Sequence, residues 1–512
     1  MMTRPLFTTL ASLALLSAGA TAKPPKKAAT TPQPAPTPSV VTAVKDADSP
    51  LSIVRVEVTA QAWDFIHPWS KKAPESRSGM GAVLATGEVL VTGDLIANAN
   101  YVEFERAETG ERMAANVEVV DYESDLALLK PVDPAFLKKL QPLEIGDAKV
   151  GDRVDVLQLE STGAQVETAA LVTTVAVVPY TTAGTPLLAY RLSSSLQYRD
   201  GSFTLPLLHD DKLAGLLMRY DPRSQTIDAI PAPVIRHFLA AAKKQPYVGF
   251  PRAGLSFAPL RDPQLRHYAG DNDSPASGGV YITAVEPGGP AEQAGIKQGD
   301  VLLSLGGNAV DADGNYRDPQ YGKQAIQYLI SMTTSGSSLP VKLLRAGQPV
   351  SVTMTVQHRS SEDYLVEPYL IDKAPKFYVL GGLVLQELSR QYLKEWGAGW
   401  EKKAPEKFVY LDRYQDDVSA NGRKKIVFLS QVLPTPLTIG DDQLSGTTIT
   451  KINDRPITCL ADLPAALEHP INGFHKIEFA EAPHLLYLDA AQTQAIEPAL
   501  MRNYGLPAIK SL

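Results

Sequence analysis

From Leu51 onward the chain alternates apolar and polar residues. Ser52 to Gln61 (SIVRVEVTAQ) is a clear case, and such alternation places one face of a β-strand in a core and the other in water. Similar runs follow as GAVLATGEVLVTG, ANVEVVDYESDLALLKPV, DRVDVLQLE, AALVTTVAVVPYT, LLAYRLSSS and KLAGLLMRY, separated by short turn segments. Many short strands without intervening helices predict a β-barrel or sandwich. An amphipathic helix over Ala232 to Lys243 closes this unit, which spans 50–247.

A different pattern starts at 248. GGVYITAVEPGGPAEQAGIKQGDVLLSLGGNAV predicts a strand, a turn, a short helix ending at Gly295 and another strand. A helix within YGKQAIQYLISM and paired strands in LPVKLLRAG and QPVSVTMTVQ complete a unit ending near residue 360. Residues 361–512 repeat that order, and TTITKINDRPI echoes DVLLSLGGNAV, so the two units read as a diverged internal repeat.

The N-terminus differs from all of this. Arg4, the apolar stretch Leu6 to Ala18 and the A-x-A site Ala20-Thr21-Ala22 read as a secretory signal over 1–22. Export to a periplasm or to the outside of the cell, with cleavage near Ala22, is expected. Residues 23–49 are rich in Pro, Ala, Thr and Lys and read as a semi-extended tether.

Composition narrows the function. The 512 residues suggest about three domains at roughly 150 residues each. A net charge of −7 gives no footprint for nucleic acid. The 40 prolines and 36 glycines suit short strands and turns. One cysteine, Cys459, excludes an intramolecular disulfide and a cysteine-rich metal site. The eight histidines show no metal-ligand spacing, and no motif calls for a cofactor.

The residues of the middle unit resemble a PDZ domain of the HtrA type. The cluster is Gly279-Val280-Tyr281, Val285-Glu286-Pro287, Pro290-Ala291, Ala294-Gly295 and Gly299-Asp300-Val301-Leu302. The preceding unit resembles the chymotrypsin-like domain of HtrA/DegP (Do-like) serine proteases. Ser124 to Lys130 (SDLALLK) looks like the family's acidic motif, Gly79 to Leu95 like its histidine segment, and Ile230 to Ile235 like the exit from its protease domain. Gly381-Gly382-Leu383-Val384, Ser430 to Leu433 and Leu486 to Asp489 resemble the divergent second PDZ domain of plant-type Deg proteases. His67-Pro68-Trp69 falls where that subfamily has a Pro-Trp. The resemblance implies a mainly β fold: a chymotrypsin-like double β-barrel followed by two PDZ-like α+β domains.

Such proteases need a serine nucleophile, a histidine base and an acid that orients it, with backbone amides around the oxyanion. The resemblance aligns Asp125 with the acid, but Asp94 stands where the histidine belongs. A carboxylate is a poor base for a serine hydroxyl at neutral pH, and a second carboxyl beside Asp125 should push one of the pair up. Aligned on the following strand, Ser202 falls on the nucleophile, and aligned on the preceding strand Gly201 does; either way Phe203 and Thr204 replace the two glycines that shape the oxyanion loop. Asp94, Asp125 and Ser202 therefore read as a degenerate triad. His209 lies near Ser202 in sequence, in the following hairpin.

The resemblance further implies peptide binding by strand addition beside a carboxylate-receiving loop, here Arg252-Ala253-Gly254-Leu255-Ser256-Phe257. Gly254 frees the turn, Leu255 and Phe257 line a pocket, and Arg252 attracts the carboxylate. Three functions follow: a pseudoprotease chaperone, adaptor or scaffold that binds peptide or unfolded segments; an active serine endopeptidase of protein quality control with an atypical site; or a structural subunit that joins active relatives. Family members trimerise through N-terminal barrel residues. Trp63, Phe65 and Trp69 lie in that region and serve either a homo- or hetero-oligomer or the chain's own interior.

Overall fold

The computed structural model describes residues 42–44, 51–160, 162–197, 203–270, 278–416 and 422–512. Residues 1–22, expected from the sequence to be a secretory signal, most of the expected tether and Ser202 lie outside the described residues. The far end of the tether departs from the expected extended linker. Thr42–Val44 (β1) pairs antiparallel with residues 166–168. An edge strand offers unpaired amides and carbonyls, and a short Thr/Val-bearing segment satisfies them.

Six strands close the first barrel: β2 (Ile53–Ala60), β3 (Glu75–Val83), β4 (Val89–Val91), β5 (Ala99–Glu105), β6 (Arg112–Asp121) and β7 (Leu126–Pro131), in the order β2-β3-β4-β7-β6-β5. The alternation works as read: Val56 and Val58 are buried while Thr59 is exposed. Each such buried valine contributes about 1.5–3 kcal/mol. A single turn of helix, α1 (Gly93–Ile96), follows β4.

The second barrel uses β8 (Arg153–Leu159), β9 (Gln165–Pro179), β10 (Pro186–Ser193), β11 (Pro206–His209), β12 (Lys212–Asp221) and β13 (Thr226–Pro231). Their order is β9-β10-β13-β12-β11-β8, closed by pairing of β9 with β8. The amphipathic helix α2 (Ala232–Ala242) covers it with Val234, Ile235 and Phe238.

The first α+β unit comprises β14 (Leu255–Pro259), α3 (Pro263–Tyr268), β15 (Val280–Val285), α4 (Pro290–Gln293), β16 (Val301–Leu305), β17 (Asn308–Ala309), β18 (Asn315–Asp318), β19 (Gly322–Ala325), α5 (Ile326–Ser331), β20 (Ser338–Arg345) and β21 (Gln348–Thr355). Its sheet runs β14-β15-β16-β20-β21, so β14 is an edge strand. The second α+β unit holds β22 (Phe377–Leu380), β23 (Leu383–Glu387), α6 (Arg390–Lys394), α7 (Glu406–Arg413), β24 (Val427–Val432), β25 (Ile449–Ile452), β26 (Arg455–Pro456), α8 (Leu463–Leu467), β27 (Phe474–Phe479), β28 (Leu485–Asp489), α9 (Ala490–Tyr504) and β29 (Lys510–Ser511). Two sheets form, β24-β23-β22-β29 and β26-β25-β27-β28.

The echo between the units is a shared hairpin. β16 and β17 are joined by Gly306-Gly307, and β25 and β26 by Asn453-Asp454. All four turn residues have positive φ, as a two-residue hairpin turn requires. Glycine meets that demand in one unit, and Asn and Asp, which tolerate the left-handed region, meet it in the other.

The aromatics between β2 and β3 pack inside the chain. Phe65 is 6% exposed and sits among Leu388, Tyr392, Phe408 and Phe428 of the second α+β unit. Gln386 Nε2 donates to the Phe65 carbonyl at 3.1 Å, and Trp69 meets Phe377 edge-on at 6.0 Å. Lys72 Nζ lies 2.7 Å from Glu395. Phe65 is therefore buried within the chain, and Trp63 and Trp69 pack partly against the second α+β unit. Phe65→Ala is expected to cost about 3–5 kcal/mol by leaving a cavity at this junction. Urea denaturation and limited proteolysis measure this, and the second α+β unit should become more readily cleaved than in the parent protein.

Candidate functional site: a cleft between barrels and a groove beside β14

Asp125 sits in the turn between β6 and β7 with φ +54, a left-handed conformation that Asp tolerates. Its side chain is 1% exposed. Oδ1 accepts the Asp94 amide N–H at 2.7 Å and the Thr182 hydroxyl at 3.2 Å. The first donor comes from α1 in one barrel and the second from the turn before β10 in the other. These two are the hydrogen-bond partners of the Asp125 carboxyl among the described residues. Burial first, then the charge of Asp94, push its pKa up to about 8, so the group holds its proton at neutral pH. Burial raises Asp94 as well, against the opposing charges of Arg77 and Lys394.

Around this pair, Arg77 Nη1 donates to the Asp94 carbonyl at 2.9 Å. Lys394, from α6, reaches the Thr182 carbonyl at 3.4 Å. The Phe203 amide donates to the Ser78 carbonyl at 3.3 Å, and its ring lies 5.7 Å from the Arg77 guanidinium. Asp94 and Phe203 line a cleft of about 340 Å³ with Leu217 to Tyr220. His209 is engaged elsewhere: Nδ1 is 2.9 Å from the Arg153 carbonyl and Nε2 is 3.3 Å from Asp152. His67 pairs with Asp64, and His237 stacks on Phe250.

The second feature is a cavity of about 360 Å³ between β14 and α5. Leu255 and Phe257 line it from the strand, Ile326 and Ile330 from the helix. Ser256 is exposed on the other side of β14, as strand alternation requires, so it contributes no side chain to the cavity. Arg252, Ala253 and Gly254 form one end. Gly254 has φ +67, and a Cβ there would lie 3.0 Å from Glu286 Oε2. The carbonyls of Ala253 and Gly254 accept the amides of Ala291 and Glu286, whereas their own amides make no hydrogen bond among the described residues. Arg252 lies 2.9 Å from Glu286 and also donates to the Tyr364 hydroxyl.

Several residues of these sites carry no sequence signal, because other units supply them. Ala183 to Leu187 of the second barrel, Glu123 of the first, Tyr364 and Arg390 all wall the groove. In the second α+β unit, β23 lies inside its sheet, paired with β22 on one side and β24 on the other.

The raised Asp125 carboxyl has a stability consequence. The native state keeps a proton that the unfolded chain releases above pH 3.8, so this group's contribution falls as pH rises from 3.8 toward about 8. Asp125→Asn preserves the acceptor for Asp94 and Thr182 and removes the titration. Its urea midpoint should gain on the parent protein as pH rises through that window; a constant gap would contradict a protonated Asp125.

Two regions, 281–345 and 366–512, match models of the PDZ domain. The chain is 25% identical over 476 residues to protease Do-like 2, chloroplastic, of Arabidopsis thaliana, covering 91% of this chain and 76% of the relative. It is 24% identical over 346 residues to protease Do-like 4, mitochondrial, of the same plant, covering 67% of this chain and 65% of the relative. A solved HtrA-type protease, AlgW with a decapeptide, aligns with a TM-score of 0.46 and 19% identity, over 61% of this chain and 97% of that one. With trypsin-like barrels followed by two PDZ domains, the chain is a homologue of the HtrA/Deg-like serine proteases.

Proposed function

We propose that this chain is an exported pseudoprotease that binds C-terminal or unfolded peptide segments in its first PDZ domain, as chaperone, adaptor or scaffold. The observation that carries the reading is the environment of Asp125. In a working triad the acid's oxygen holds an imidazole N–H; here it holds the Asp94 amide and the Thr182 hydroxyl. A carboxyl that keeps its proton at neutral pH also lacks the charge that stabilises an imidazolium. Phe203 and Thr204, in place of two glycines after Ser202, add support from the sequence.

Peptide binding follows from a free strand edge. An incoming strand pairs with β14 and places an apolar terminal side chain between Leu255, Ile326 and Ile330. The amides of Ala253 and Gly254 receive the terminal carboxylate. Export follows from Arg4, the apolar stretch to Ala18 and the Ala20-Thr21-Ala22 site.

Casein digestion by the purified protein tests the barrels. The parent protein and Ser202→Ala are expected to behave alike, with no serine-dependent cleavage; cleavage lost on Ser202→Ala would restore the endopeptidase reading. Fluorescence anisotropy with hydrophobic C-terminal peptides tests the groove. Ile326→Asp, which puts a charge into the apolar pocket, should weaken binding on the order of tenfold or more. Unchanged affinity would place the peptide elsewhere.

A further inference from the structure

The groove's carboxylate end is built partly from outside the PDZ fold. Glu123 enters from the β6–β7 turn of the first barrel and lines the cavity with its side chain 9% exposed. His358, just after β21, lies behind it, with Nε2 3.5 Å from Glu123 Oε2. The imidazole is packed closely enough on the backbone that a Cβ at Gly249 would lie 2.8 Å from the ring. An acid–base pair, with Glu123 buried and His358 half-buried, therefore sits beside the loop proposed to receive a peptide terminus.

We propose that Glu123 and His358 make the groove's hold on a peptide carboxylate proton-linked, so that binding tightens as the solution is acidified. The inference rests on the reading of this groove as a peptide site.

The neighbouring charges define the sign. Glu123 faces His358, Asp121 and Arg252, while His358 faces Glu123, Asp121 and Asp363. Asp121 is held by the hydroxyls of Tyr247 at 2.6 Å and Ser124 at 3.0 Å. Arg252 and Arg359 both pair with Glu286. Tyr247, Tyr364 and Tyr369 complete the surroundings, and burial keeps all three phenols neutral. Burial pushes the Glu123 carboxyl up. Burial opposes the charged form of His358, but the hydrogen bond and charge of Glu123, with Asp121 and Asp363 behind it, hold it above the ordinary imidazole value.

At alkaline pH the pair carries Glu123 as an anion and His358 neutral, a net negative charge facing the ligand's carboxylate. Acidification loads protons onto the pair, so the pair's charge rises toward positive. A bound carboxylate favours the proton-loaded forms, and by linkage its affinity must fall as pH rises. The peptide's own terminus, with a pKa near 3.3–3.7, stays ionised throughout.

The test is fluorescence anisotropy on the full chain with a labelled decapeptide of Gly, Ser and Ala ending in Ile-Leu-Val, which has no titrating side chain, and with its C-terminal amide. Between about pH 8.5 and about pH 5.5, a window that spans the usual histidine range, the carboxylate peptide should gain affinity on the order of three- to tenfold, as expected for one added charge nearby. The amide should show no such gain. Glu123→Gln keeps the side chain's shape and should flatten the profile, and His358→Gln should remove its neutral-pH arm. A flat profile in the parent protein, or a slope unchanged in both variants, overturns the inference. No binding at any pH would instead overturn the peptide-site reading beneath it.

Discussion

A carboxyl group buried to 1% exposure must find its partners inside the protein, and the cleft is arranged around how Asp125 finds them. Its oxygen joins α1 of the first barrel, through the Asp94 amide, to the turn before β10 in the second, through Thr182. That turn is shared more widely. The Thr182 carbonyl accepts from Lys394, and the Ala183 carbonyl accepts from Arg390 at 3.2 Å. Arg390 is itself held by buried Asp412 at 3.0 Å. Ala183 to Leu187 also wall the cavity beside β14. One short turn thus touches the barrel cleft, the second PDZ domain and the first PDZ groove.

The second PDZ domain is fixed from the other side by the segment after β2. Phe65 fills an aromatic cluster, Gln386 binds its carbonyl, and the Asn98 amide donates to Asp372 at 2.6 Å. Tyr122, three residues before Asp125, donates its hydroxyl to the same Asp372. The residues that seat the domain therefore flank those that define the cleft. The two PDZ domains differ in how their strands are paired. β14 keeps an outer edge open, whereas β23 is already paired with the chain's own β22.

Much of this was legible in sequence because local rules govern it. Alternation in Ile53–Ala60 and the helix following Ile230-Pro231 depend on residues a few positions apart, and so do the left-handed turns at Gly306-Gly307 and Asn453-Asp454. Gly254, read as the residue that frees its turn, adopts φ +67. What was not legible comes from distance. Glu123 reaches the groove across more than 120 residues of chain, and Arg390 reaches it from the opposite direction. An aromatic such as Phe65 has one sequence signature whether it meets a partner subunit or its own C-terminal domain. The Arg252 partners Glu286 and Tyr364 carried no sequence signal because they are far along the chain. Thr42–Val44 read as tether because edge pairing needs little sequence information.

The functional reading turns on whether a protease frame can persist while its chemistry lapses. The barrels are closed and their cores filled, and neither property requires an imidazole in the cleft. Asp125 keeps its place as a hydrogen-bonding hub with its charge suppressed. The most direct measurement is intact-mass analysis of the full chain after incubation with a fluorophosphonate, which traps a serine activated by a neighbouring base. The account predicts an unchanged mass. A single stoichiometric adduct at Ser202 would contradict it.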